Sequence, residues 1–167
     1  SAVLVDRKGE VAGIYRKLHL AVQTGSDSME GGMIPGKEAP VFDCDFGKLG
    51  IQICFDMEFD YGWQQLAQKG AELAAWPTQS PQTAHPASRA REQRCYIVSS
   101  TWRDNASLFE PTGKIAAQIK PPAQTMVEQI DLSYAILPWS PNLKDGKALK
   151  TKYGDRVGFR YYADEDC

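Results

Sequence analysis

The chain predicts an α/β fold built in layers, and three observations lead there. Between Lys48 and Thr101, apolar strand-like runs alternate with helical segments in the order strand, helix, strand, helix, strand. On either side, at 2–15 and 107–130, paired β-rich runs are separated by polar, Gly-containing turns, the pattern of antiparallel pairs. The 167 residues, 43% hydrophobic and 24% charged, also supply enough apolar material for one sizeable core.

In order, Ala2-Val3-Leu4-Val5-Asp6 and Val11-Ala12-Gly13-Ile14-Tyr15 predict a hairpin closed by Arg7-Lys8-Gly9-Glu10. The chain therefore opens inside a sheet, which leads us to expect sequence upstream. Residues 21–39, rich in Gly and Ser, predict a long functional loop. Strands are expected at Pro40–Cys44 and Lys48–Cys54, with a turn at Phe46-Gly47. Asp60 can cap a helix that places Trp63, Leu66, Ala67 and Gly70 at i, i+3, i+4 and i+7, and Gly70 ends it. A buried strand, 71–76, stops at Pro77 before a loop over 78–84. A helix follows at 85–93, then a central strand at 95–101. Runs at 107–109, 115–119 and 124–130, with a turn at Pro111-Thr112-Gly113, predict closing antiparallel strands. From Leu137 the pattern fades, and 136–167 reads as an extended C-terminal arm of one incomplete domain, packed on something else such as a second subunit. The abrupt end at Asp164-Glu165-Asp166-Cys167 leads us to expect truncation there too.

Composition narrows the function. A net charge of −2 with scattered signs gives no basic stripe, so nucleic acid is not an expected partner and small molecules are. No apolar run approaches the roughly 20 residues that span a bilayer, and the first residues lack a secretory layout, so the chain reads as cytoplasmic. Cys44, Cys54, Cys95 and Cys167 form no CxxC pair and have only His19 and His85 beside them, which argues against a metal site. Reduced thiols and no cofactor are the expectation.

Cys54 is the candidate nucleophile. It ends the apolar run Gly50-Ile51-Gln52-Ile53 and is followed by the acidic, turn-like Phe55-Asp56-Met57-Glu58-Phe59-Asp60, a place where a strand hands a reactive group to a pocket. Taken alone it would read as a core cysteine, as Cys44 and Cys95 do. Lys17, at the end of another strand-like run, supplies a cation, though by itself it reads as a solvated strand-end charge. Glu30 alone is an ordinary loop acid. His19 and His85 are read as structural, against a weaker Cys-His hydrolase alternative. Arg89, Arg91 and Glu92 read as a solvated or salt-bridged helix face.

Four blocks, in order, change the weight of these readings: Gly9-Glu10 with Tyr15-Arg16-Lys17-Leu18-His19-Leu20; Glu30 with Pro35-Gly36 and Val41-Phe42; Gly50-Ile51-Gln52-Ile53-Cys54-Phe55-Asp56; and Arg89-Ala90-Arg91-Glu92-Gln93 with Tyr96-Ile97-Val98. Over nearly its whole length the chain resembles the nitrilase superfamily of carbon–nitrogen hydrolases. That resemblance implies a partial α-β-β-α sandwich, a Glu-Lys-Cys catalytic set, and a linear amide, carbamoyl or nitrile substrate. It implies Cys54 as nucleophile through a thioester, Lys17 with the Phe55 backbone N–H as stabilisers of the developing oxyanion, and Glu30 as the additional glutamate that orients the lysine or binds the leaving amine. The lysine also favours the thiolate. Two departures go with it. The family's general-base glutamate lies upstream of the lysine block, before Ser1, so a catalytically inactive assembly module is the alternative reading. Glu58 stands where relatives often carry arginine, which favours a cationic or hydrogen-bond-donating substrate. Thr78 and Gln79 fall at the expected pocket rim, where they are candidates for substrate contact, with a plain turn as the alternative. The helix at 85–93 lies near the family's subunit contact, which implies a homo-oligomer.

Overall fold

The structure is a computed structural model that describes residues 1–22, 30–102, 105–137 and 140–161. The central part of the long loop, Pro138 and the tail with Tyr162 and Cys167 lie outside the described residues. The chain divides into two compact units, Ser1–Leu132 and Ser133–Cys167.

In the first unit, β1 (Ala2–Val5) and β2 (Val11–Tyr15) form an antiparallel hairpin. Asp6 shapes its turn, since Oδ1 accepts the N–H groups of Lys8 and Glu10 at 2.8 and 2.9 Å. A mixed sheet runs in chain order through β3 (Val41–Cys44), β4 (Gly47–Ile51), β5 (Leu73–Pro77), β6 (Tyr96–Ser100), β7 (Ser107–Phe109) and β8 (Ile115–Gln118). Its centre, β4-β5-β6, is parallel, and β3-β4 and β6-β7-β8 are antiparallel. The two parallel steps require crossovers, made by α1 (Asp60–Gln68) and α2 (Ala84–Gln93). Trp63 and Leu66 fall on one face of α1 and are buried, joining Tyr15, Met57, Trp76, Ile97 and Phe109 in a single core cluster. Gly70, at φ 78°, turns the chain out of α1.

Several expectations need correcting. The strand predicted to reach Cys54 leaves the ladder earlier. Gln52 N–H still donates to Ala75 O at 3.0 Å, but Ile53 N–H turns away to the Asp56 carboxylate at 2.9 Å. Asp60 is not the α1 cap. Phe59 holds that position in extended backbone with no side-chain cap bond, so Asp60 is already helical, and its carboxylate meets Arg89 Nη1 at 2.6 Å. The run 124–130 forms no strand. Pro121 and Pro122, just after β8, have no N–H to donate, and the chain leaves the sheet with Val127 almost wholly exposed.

The described part of the second unit is not extended throughout, as the sequence led us to expect. It contains α3 (Lys147–Tyr153), set between Gly146 and Gly154. This helix buries no residue, so it left no apolar period to read. Lys150 and Lys152 sit in its last turn, where the helix dipole favours cations. Among the described residues, no helix is long and apolar enough to cross a membrane.

Candidate active site

Cys54 stands just beyond β4, at the carboxyl end of the parallel strands, where open α/β sheets present ligand sites. Its φ of 47° lies in the left-handed region, which costs a non-glycine residue roughly 1–3 kcal/mol and persists only when its surroundings hold it. Two bonds do so. Trp76 Nε1, near the end of β5, donates to Cys54 O at 3.0 Å, and the Asp56 carboxylate takes the preceding N–H. The chain then runs as a 3₁₀ turn, Cys54–Glu58, that leaves the thiol half-buried and turns Phe55 outward.

Lys17 follows β2 and is 7% exposed. Its Nζ donates to Glu30 Oε2 at 2.7 Å, and the same oxygen accepts Ala21 N–H at 3.1 Å. The lysine bond in particular holds the Glu30 carboxyl below the usual carboxylate range, against a smaller opposing effect of burial. The Pro35-Gly36 block has a physical reason as well. Gly36 N–H donates to Lys17 O at 2.8 Å, and a Cβ at Gly36 would come within 2.2 Å of Arg16 O, so only glycine permits the approach.

Between these segments lies Asp56, wholly buried, whose importance the sequence reading missed. Its Oδ2 accepts Tyr15 O–H at 2.8 Å and Ile53 N–H at 2.9 Å. Its Oδ1 accepts His19 N–H at 2.8 Å and lies 3.1 Å from His19 Nδ1. Burial, reinforced by the neighbouring carboxylate, pushes the Tyr15 hydroxyl well above its ordinary value, so it stays a donor. The available signal was the pair of polar residues flanking Lys17 together with an acid two residues past the cysteine.

The other predicted residues lie around this corner. Phe55 meets the edge of Phe59, with centroids 5.3 Å apart, and Phe59 stacks on His19 at 3.9 Å. Glu58 is half-exposed, accepts Gln82 Nε2 at 3.2 Å and lies 3.5 Å from His85 Nδ1. Thr78 and Gln79 follow β5. Thr78 Oγ1 accepts Ser80 N–H at 2.9 Å, and Gln79 is exposed. Gln82 is an addition the sequence did not flag, being one polar residue in a polar loop.

Arg89 takes the salt-bridged rather than the solvated of the two expectations for this helix face. It is 5% exposed, pairs with Asp60 and Glu92, and its Nε and Nη2 each lie 3.4 Å from Met57 O, at the base of the Cys54 turn. Cys95 is buried, which pushes its thiol up to about 12, a value suited to packing rather than attack. Burial first, then Asp45 and Asp43, raise Cys44 as well. Among the described residues, no group of three His, Cys, Asp or Glu side chains is placed to hold a metal ion.

Comparison with known proteins gives concordant results. The carbon-nitrogen hydrolase family profile matches residues 1–137. The human deaminated glutathione amidase is 28% identical over 158 residues, covering 79% of this chain and 47% of that protein. The NitFhit fusion of nitrilase and fragile histidine triad from Drosophila melanogaster is 34% identical over 110 residues, 59% of this chain and 24% of that protein. The chain thus spans about half or less of the length of these relatives. In three dimensions it resembles the C. elegans NitFhit protein, with a TM-score of 0.68 and 23% identity over 93% of this chain and 42% of that one. It also resembles an amidase from Nesterenkonia sp. AN1, solved with acrylamide added at its active site cysteine, with a TM-score of 0.61 and 22% identity over 70% of this chain and 51% of that one. The structural likeness shows a shared α/β fold of nitrilase type.

Proposed function

The chain belongs to the carbon–nitrogen hydrolase family, and from that premise we propose that it carries the nucleophile half of a site that hydrolyses a small linear amide or carbamoyl compound. The observation that carries this reading is Cys54, held at a left-handed φ at the end of the parallel strands, beside a segment whose buried Lys17 is paired with Glu30. In this reading the Cys54 thiolate adds to the carbonyl carbon. A C–S bond forms, and the carbonyl electron pair moves to oxygen, where the Lys17 ammonium and the Phe55 N–H stabilise it. As the adduct collapses the C–N bond breaks, and nitrogen leaves as ammonia with the thiol's proton, relayed by a general-base carboxylate. Water then cleaves the thioester.

Glu30 orients Lys17 and is available to the leaving amine. Phe55, Glu58, Thr78 and Gln79 line the substrate side, and the Glu58 carboxylate favours a substrate that is cationic or donates hydrogen bonds there. The setting is cytoplasmic, with reduced thiols, and the assembly a homo-oligomer. Mass spectrometry after incubation with a small amide tests the chemistry, with an acyl adduct on Cys54 as the expected result. No labelling of Cys54 even by iodoacetamide would sink the reading.

One observation favours a second reading, an assembly module without turnover: Val3, Val5, Val11 and Ile14 of the β1-β2 hairpin are each more than half exposed. Iodoacetamide labelling of Cys54 without turnover of any amide would select it.

A further inference from the structure

Each oxygen of Asp56 has two polar neighbours, and together they come from both functional segments. Oδ2 bridges them directly, taking one bond from Tyr15 on the lysine side and one from Ile53 on the cysteine side. Oδ1 accepts the His19 N–H and lies 3.1 Å from His19 Nδ1. Tyr15 and His19 flank Lys17 at two residues on either side, and Ile53 immediately precedes Cys54.

The peptide unit after Lys17 is held at both ends. Its carbonyl accepts Gly36 N–H at 2.8 Å, and its N–H, that of Leu18, donates to the Tyr15 hydroxyl at 3.3 Å, which itself donates to Asp56. A relay thus runs from the lysine backbone through Tyr15 to a carboxylate two residues past the cysteine. Asp56 O also accepts Trp63 Nε1 at 3.2 Å, which fixes the turn against α1.

A core built for stability alone has little use for a buried carboxylate, because desolvating the charge offsets much of what its bonds return. What these bonds do supply is a defined separation between two segments that are far apart in sequence.

We propose that Asp56 is a positioning residue that sets the Lys17 ammonium against the Cys54 thiol, so that loosening its bonds uncouples the two. The proposal rests on the Cys54–Lys17 reading above, and a double-mutant cycle separates the two claims.

The rate of Cys54 alkylation by iodoacetamide is measured by mass spectrometry in the native chain, in Lys17→Ala, in Asp56→Asn and in the double variant. In the native background, Lys17→Ala slows alkylation about tenfold, because the thiolate loses its cation. With Asn at position 56, the same change has an effect of less than about twofold, since the lysine no longer has a fixed place to lose. A merely structural role for Asp56 would slow or speed both members of the pair alike and leave the tenfold effect intact, and that result overturns the proposal. A Lys17→Ala rate equal to native in the otherwise unchanged chain overturns both readings.

If Asp56→Asn shows no cooperative urea transition, Tyr15→Phe takes its place in the cycle. It removes one donor and keeps the ring in the core. A Lys17 effect reduced severalfold in that background supports the role of Asp56, and a full tenfold effect overturns it.

Discussion

Asp56 and Glu58 sit two residues apart on one 3₁₀ turn and carry the same functional group, yet their surroundings are opposite. Asp56 is wholly buried with four polar groups around its two oxygens, whereas the Glu58 side chain is 43% exposed and, among the described residues, has longer contacts, with Gln82 at 3.2 Å and His85 at 3.5 Å. The first is over-determined and has one arrangement. The second can change partners at little cost, since exposed ion pairs contribute at most about 1 kcal/mol. One short turn thus presents one carboxylate to the core and the other to solvent.

Stability separates the two most sharply. Asp56→Ala strands donors from Tyr15, Ile53 and His19 in a dry site and is expected to cost at least about 3 kcal/mol, read as a lower urea midpoint. Glu58→Ala is expected to stay within about 0.5 kcal/mol in the same titration. Equal losses would remove the distinction.

Substrate choice should reverse the order. Glu58→Arg is expected to shift the kcat/KM preference between cationic and anionic amides about tenfold toward the anionic ones, with the urea midpoint nearly unchanged. An unchanged preference would take Glu58 off the substrate side.

The smallest effect lies at Glu30, which shares features of both, being paired with buried Lys17 yet 37% exposed. Its carboxyl is held low chiefly by the lysine bond, so the stability it lends is present above about pH 4.3 and fades as pH falls through its lowered value. Solvent screening limits this to about 0.5 kcal/mol. Urea midpoints followed from pH 6 down to about pH 3 should therefore fall slightly more steeply in the native chain than in Glu30→Gln. Parallel curves would mean that the pair contributes nothing.

The contrast also explains what could be read from the sequence. Strands β1 to β8 and the first two helices were legible because apolar runs and period-3.6 patterns reflect burial, as with Trp63 and Leu66. Cys54, Lys17 and Glu30 were singled out through ordered blocks around them, and the structure pairs the last two. Asp56 was not, because an acid in a turn-like run reads as solvated, and its burial depends on a hairpin some forty residues upstream. Arg89 was legible in part: charges at helical spacing pointed to its ion pairs with Asp60 and Glu92, but not to its burial against Met57 O. The stretch 124–130 misled in the other direction, since β-rich composition does not make a strand without a partner ladder.

The bonds of Asp56 to Tyr15 and His19 span 41 and 37 residues of chain. Contacts of that separation close long loops, so the placement of the Lys17 segment beside the Cys54 turn depends on the docked hairpin as well as on the turn itself. A chain in which the sheet has formed but the hairpin has not docked would hold Cys54 at a strand end with the Lys17 segment elsewhere. The amide hydrogens of His19 and Ile53, both held by the one carboxylate, should then exchange with solvent together, on the timescale of the whole unit's opening.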